Sequence, residues 1–212
     1  MIIFDMDGTI LRLGVDIEEA RQRLGALFAP YGITRPFRPI LRRIREAAAE
    51  AAARGGDEAA LLAQGLALLD EQELIAARDA RPTTGAVETL AGLHARGVRL
   101  GLVTDNGRAC VPVALAAAGI DPAWFTAIRT RDDVPAPKPD PAGLLAVLAA
   151  GDATDAWYVG DHPRDLEAGR AARATYPGLR LAGVKTGLAS EPQLLAAGAD
   201  RVLDRLEQVT GL

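Results

Sequence analysis

From residue 82 to the C-terminus the chain alternates short apolar runs of β type with stretches of helical periodicity, and few folds accommodate that rhythm. The runs cover 98–103, 127–130, 156–159, 179–185 and 201–203, with helical stretches at 84–96, 109–118 and 141–150 between the earlier ones. Strands that alternate with helices form a parallel sheet covered on both faces. A sixth run, Ile2-Ile3-Phe4, opens the chain and stops at Asp5-Met6-Asp7-Gly8-Thr9. The fold class expected is therefore α/β, a Rossmann-like parallel sheet core. Only four residues stand before Asp5, short for a central strand, which leads us to expect that a few residues are absent upstream of Met1.

The stretch 13–80 has a different texture, helical and without strands. Asp16 can cap a helix whose apolar positions include Ile17, Ala20, Leu24, Leu27 and Phe28. Tyr31-Gly32 and Pro36 interrupt it, and a second helix is expected over 39–54 with Ile40, Leu41, Ile44, Ala47, Ala48 and Ala51 on one side. Gly55-Gly56 ends that helix, and Asp57 can cap a third stretch. Gly65 and Asp70 leave open whether the third stretch is one helix or two. The division expected is an α/β core of residues 1–12 and 83–212, with an inserted helical domain at 13–82.

Composition narrows the function. A net charge of −4 argues against general affinity for nucleic acid or anionic membranes. The single cysteine, Cys110, excludes an internal disulfide framework, and with only two histidines a zinc site is disfavoured. Cys110 reads as a small packed side chain. No stretch reaches the roughly 18 apolar residues of a membrane span, and no secretory leader is visible. The expected location is cytoplasmic.

Ligands of parallel α/β sheets bind beyond the carboxyl ends of the strands, and there each run delivers a polar residue. The first gives Asp5 and Asp7, the second Thr104 in Val103-Thr104-Asp105-Asn106. After the third comes Lys138, flanked by Pro137 and Pro139. The fourth gives Gly160-Asp161-His162-Pro163-Arg164-Asp165. Acids at the end of a buried strand destabilise the fold unless a cation or a reaction needs them. Bland readings compete residue by residue: Asp-Gly-Thr is ordinary turn composition, Lys138 could be a solvated loop lysine, Thr104 a strand-end threonine, and Asp165 a helix cap. Asp132 and Asp133 read as solvated or turn-forming, and His94 and His162 as surface or packing residues.

In order and in context, these four segments resemble the motifs of the haloacid dehalogenase-like (HAD) superfamily: Asp-x-Asp-Gly-Thr, a Thr or Ser, a Lys, and Gly-Asp-x-x-x-Asp. The resemblance extends over nearly the whole chain and implies the HAD fold with an α-helical cap domain. It implies a phosphomonoesterase, similar to phosphoglycolate phosphatases, in which Asp5 attacks phosphorus and Asp7 serves as proton donor and acceptor. Thr104 and Lys138 would hold the phosphoryl oxygens, and Met6, Gly8, Thr9, Asp105 and Asn106 would complete the phosphate cradle. The implied cofactor is Mg2+, held by the Asp5 carboxylate, the Asp7 carbonyl and Asp161, with Asp165 direct or through water. Relatives usually carry Asn directly after the motif-two Thr, whereas here Asp105 intervenes before Asn106. Backbone contact alone would make that change tolerable; a side chain facing the site would alter substrate preference.

The cap is rich in arginine, with Arg35, Arg38, Arg42, Arg43 and Arg45 as candidates for a substrate anion. The partner expected is a small phosphorylated metabolite, with no nucleic acid and no membrane. A phosphomutase on the same scaffold stays open as an alternative, as does a non-catalytic phospho-ligand binding protein. Dehalogenase chemistry needs neither the second acid nor a phosphate-binding metal.

Overall fold

Ile2, Ile3 and Phe4 are all buried, and they alternate between two separate cores. That is the mark of a strand covered on both faces. The computed structural model describes residues 1–212. It divides into two compact units, residues 1–13 with 77–212, and residues 14–76.

The first unit is built on six parallel strands: β1 (Ile2–Phe4), β4 (Leu100–Val103), β5 (Phe125–Arg129), β6 (Ala156–Gly160), β7 (Leu179–Val184) and β8 (Arg201–Leu203). Their order is β5-β4-β1-β6-β7-β8. Short as it is, β1 lies at the centre, pairing Ile2 with Leu100 on one side and with Trp157 on the other. Its brevity is offset by ladder bonds at both ends, since Ile2 N–H donates to Arg99 O and Asp5 N–H to Val159 O, each at 2.9 Å. Successive strands run outward from β1 in both directions, so the chain reverses its winding there, and such switch points are where α/β sheets bind ligands.

One face of the sheet packs Phe4, Leu102 and Val159 against α4 (Ala86–Ala95) and α5 (Cys110–Ala117), where Cys110 is a buried packing residue. The other packs Ile3, Tyr158 and Leu181 against α6 (Ala142–Ala150), α7 (Pro163–Ala172) and α8 (Glu191–Ala197). Observed element ends differ from the sequence expectation by no more than two residues, as frayed ends do. A two-stranded antiparallel pair, β2 (Leu11–Arg12) and β3 (Arg81–Pro82), also belongs to this unit. Thr83 secures it, donating its N–H to Ile10 O at 3.0 Å and its hydroxyl to Thr9 O at 2.8 Å. None of the helices is long and apolar enough to cross a membrane.

The second unit holds α1 (Ile17–Phe28), α2 (Ile40–Ala52) and most of α3 (Glu58–Ala77) around a core of Leu24, Phe28, Ile44 and Leu61. Asp16 caps α1 through the Glu19 N–H at 2.9 Å, and Asp57 accepts from Ala60 N–H at 3.0 Å at the start of α3. The third stretch is a single helix. Gly65 does not break it because tertiary contact overrides propensity there. A Cβ at that position would lie 2.8 Å from the Ile44 side chain and 3.4 Å from Leu24, so the glycine admits α1 and α2 to close range. Replacing a helical glycine recovers about 1 kcal/mol of propensity, whereas overpacking a dense core costs about 1–3 kcal/mol. For a large side chain the second effect wins. Gly65→Leu is expected to lower the denaturation midpoint followed by circular dichroism; an unchanged or raised midpoint would contradict this packing account.

Candidate active site

Burial without compensation would make the carboxyl end of the central strands the least stable part of the sheet. Asp5, Asp161 and Asp165 are all buried, and one oxygen from each can be chosen so that all three lie within 4.8 Å of one another. Asp5 follows β1, Asp161 follows β6, and Asp165 sits in the first turn of α7. Against these three acids stands one buried cation. Lys138 Nζ donates to Asp165 Oδ1 at 2.6 Å and also to Asp5 Oδ1. Burial alone would lower the lysine pKa, but the facing carboxylates of Asp165 and Asp5 raise it well above the ordinary value, so Lys138 stays charged.

One ammonium cannot balance three acids in a dry site. Burial pushes the Asp5 carboxyl well above its ordinary value; Lys138 opposes the shift, and Asp165 and Asp161 add to it. Burial likewise raises Asp161, to about 6, reinforced by the Asp165 charge and opposed by the Thr9 hydroxyl. Fully ionised, the three carboxylates and one ammonium would leave an excess of two negative charges in a buried site, which is why Asp5 and Asp161 hold their protons more tightly. Oxygen-only donors with that deficit suit a hard divalent cation.

Asp7 differs from the other acids. It is exposed, and its Oδ1 accepts the Leu13 N–H at 2.8 Å. Protein around it displaces enough water to raise its pKa, against the lowering effect of that hydrogen bond. A solvent-accessible acid with a raised pKa can give and take a proton.

Several residues expected as phosphate contacts have other employment. The fully buried Thr9 donates its hydroxyl to Asp161 Oδ1 at 2.8 Å and so orients that acid. Gly8 gives its N–H to Leu11 O at 2.8 Å, closing the turn after β1. It holds φ +88°, and a Cβ there would lie 2.4 Å from Asp161 Oδ2. Met6 is buried, and its carbonyl accepts from the Ile10 and Leu11 N–H groups. Thr104 and Asn106 bond each other twice: the hydroxyl donates to Asn106 Oδ1 at 2.7 Å and accepts the Asn106 N–H at 3.1 Å.

The Asp105 side chain neither faces away nor stands alone. Its Oδ1 accepts the Lys138 N–H at 2.9 Å, and its Oδ2 accepts from Arg164 Nη2 at 3.3 Å. His162, read from sequence as a surface or packing residue, caps α7 by accepting the Arg164 N–H on Nδ1 at 3.2 Å. Asp165 both caps and faces the site, since its Oδ2 accepts the His162 N–H at 3.1 Å while its Oδ1 meets Lys138. Asp133 bonds Thr130 and pairs with Arg108, and Asp132 accepts the Arg108 N–H, so both shape their turn. Of the helical unit's arginines, Arg38 pairs with Glu18, Arg42 with Glu46, and the buried Arg43 with Glu50.

Two contributors escaped the sequence reading. The hydroxyl of the fully buried Tyr158 donates to Asp165 Oδ1 at 3.3 Å. Strand alternation could have found it, because Tyr158 shares a face with Gly160, whose own Cβ would meet Asp165. Gly187, in the loop after β7, lies so close to Asp161 that a Cβ would fall 1.8 Å from Oδ2. Arg12 holds that loop by donating to Thr186 O at 2.9 Å. No local sequence signal marks either of those contacts.

Comparison with known proteins follows the same outline. The family model described as haloacid dehalogenase-like hydrolase matches residues 2–178. A plasmid-borne phosphoglycolate phosphatase of Cupriavidus necator is 30% identical over 224 residues, covering 100% of this chain and 91% of that protein. The pyrophosphatase PpaX of Bacillus velezensis is 36% identical over 124 residues, 58% of this chain. The chain spans about half the length of that protein and of its Bacillus pumilus counterpart, 55% and 56%. Among solved structures, a hydrolase from Pseudomonas syringae superposes with a TM-score of 0.68 at 23% identity, covering 99% of this chain and 95% of that one.

The acid cluster has a measurable signature. Asp161 binds its proton more tightly folded than unfolded, so ionising it opposes folding. That penalty is absent below pH about 4, grows as pH rises through about 6, and is relieved by a bound divalent cation. Metal-free protein is expected to lose melting temperature relative to Asp161→Asn across that window. Added Mg2+ should restore it more at pH 7 than at pH 5, as read by differential scanning calorimetry. A wild-type melt parallel to that of Asp161→Asn and indifferent to Mg2+ would contradict the cluster's electrostatics.

Proposed function

The chain belongs to the haloacid dehalogenase-like hydrolase family, and on that footing we propose that it is a Mg2+-dependent phosphomonoesterase acting on a small phosphorylated metabolite. The observation that carries this reading is the buried trio Asp5, Asp161 and Asp165 at the sheet's switch point, with Lys138 paired to Asp5 and Asp165. Asp161 and Asp165, with Asp5 and the Asp7 carbonyl, would hold the ion. When bound, Mg2+ offsets the repulsion between an anionic nucleophile and an anionic phosphoryl group.

The remaining work falls to the chain's own groups. An Asp5 carboxylate oxygen attacks phosphorus, forming a C–O–P linkage as the bond to the leaving oxygen breaks. Asp7 gives that oxygen a proton. Water then attacks the same phosphorus, Asp7 takes back a proton, and inorganic phosphate departs with Asp5 restored. Lys138 accompanies the transferring group as a fixed positive charge, and its pairing with Asp5 favours the ionised nucleophile. The Thr104 hydroxyl would turn from Asn106 Oδ1 to bond a phosphoryl oxygen. By resemblance to the family, the helical unit would act as the cap that governs substrate choice. Phosphoglycolate is the first substrate to test, on the strength of the Cupriavidus necator relative's coverage.

The test is release of inorganic phosphate from phosphoglycolate, sugar phosphates, nucleoside monophosphates and pyrophosphate. Turnover is expected to need Mg2+, to vanish in Asp5→Asn, and to fall about 10²–10⁴-fold in Asp7→Asn. Phosphate that reappears on the sugar rather than in solution would identify a mutase. Undiminished turnover in Asp5→Asn would overturn the nucleophile assignment.

A further inference from the structure

Lys138 reaches Asp5 and Asp165 through a flexible stem with many rotamers, and an ammonium of that kind holds one position only if its backbone is held first. The backbone of Lys138 is gripped on both sides. Its N–H donates to Asp105 Oδ1 at 2.9 Å, and its carbonyl accepts from Arg164 Nη2. The same Arg164 nitrogen donates to Asp105 Oδ2 at 3.3 Å, so one carboxylate and one guanidinium close around a single residue. They come from different elements: Asp105 follows β4, and Arg164 lies in the first turn of α7, directly before Asp165. Asp105 is anchored in turn, its carbonyl accepting from Arg131 Nη1 at 3.0 Å, and Arg131 is buried.

Both oxygens of Asp105 are thereby committed, which accounts for an acid directly after Thr104 without assigning it to the substrate. As a contribution to stability the pair is minor, because its side chains are 32% and 25% exposed and ion pairs so accessible are weak. What the arrangement does is geometric. It ties the loop bearing Lys138 to the strand bearing Thr104 and to the helix bearing Asp165.

We propose that Asp105 and Arg164 are positioning residues that clamp the Lys138 backbone and thereby aim its ammonium at the transferring phosphoryl group. The proposal rests on the phosphatase reading above. Neither residue touches substrate. A misplacement of about 1 Å at a reacting group costs on the order of 10²-fold in rate, and that sets the scale of the effect.

The experiment compares Asp105→Ala, Asp105→Asn and Arg164→Ala with wild type, using phosphoglycolate and p-nitrophenyl phosphate at saturating Mg2+, with thermal melts alongside. Asp105→Ala and Arg164→Ala are expected to lower kcat about 10–100-fold. The factor should be the same for both substrates, and Tm should move by no more than about 3 °C. Asp105→Asn keeps an acceptor for the Lys138 N–H and should recover most of the lost kcat. On a Lys138→Arg background, Asp105→Ala should cost less than about threefold more, because the group being aimed has already changed.

Unequal factors for the two substrates would mean that Asp105 touches substrate, and would overturn the proposal. So would an unchanged kcat, or losses of activity that track large falls in Tm and mark the pair as a brace for the fold. If wild type turns over neither substrate and none of the wider panel, the phosphatase reading fails, and this proposal fails with it. Wild-type turnover with indifferent variants sinks the clamp alone.

Discussion

A buried ammonium with two carboxylates on it is the interaction around which the catalytic end of this sheet is organised. Lys138 lies 9% exposed between Asp5 and Asp165, whose side chains are 7% and 3% exposed. Removing the Lys138 ammonium would leave both Asp5 and Asp165 buried without compensation, a far larger penalty than the loss of a surface pair. The excess of negative charge that remains is built into the site. It makes the apo sheet end unfavourable and a divalent cation welcome, so instability and function have the same origin.

Everything else near that point serves geometry. β1 brings Asp5 to the centre of the sheet on three residues, secured by neighbours on both sides. Thr9 and the close approach of Gly8 and Gly187 fix Asp161, while the His162 N–H and the Tyr158 hydroxyl fix Asp165. Such supporting contacts decide whether ligands to a cation are held or loose. Asp7, unlike Asp5, Asp161 and Asp165, is open to solvent, which suits the proton exchange proposed for it.

Much of this was legible in the residues. Alternating runs point to a parallel sheet, and the polar residues after the first, third and fourth, Asp5, Lys138 and Asp161 with Asp165, meet in one cluster, whereas Thr104 bonds Asn106. Asp16 and Asp57 declared their helices through ordinary capping chemistry. What stayed hidden was the direction in which side chains are used. Thr9 and Asp105 stand beside the motif residues, and their side chains bond Asp161 and the Lys138 backbone, uses that adjacency does not announce. Contacts between residues 33, 59 or 152 positions apart are set by how strands and helices pack, and local pattern carries no trace of them. Gly65 taught the same lesson in the helical unit, where close packing rather than propensity explains the residue.

Covalent trapping tests most directly the proposal that Asp5 carries the phosphoryl group. Protein mixed with a turning-over phosphomonoester is quenched in acid and treated with borohydride, which reduces an acyl phosphate on aspartate to homoserine. Peptide mass spectrometry then locates the change. Homoserine at position 5, dependent on substrate and absent from Asp7, is the result this account predicts. Rapid turnover that leaves Asp5 unmodified, or modification at another acid, would contradict it.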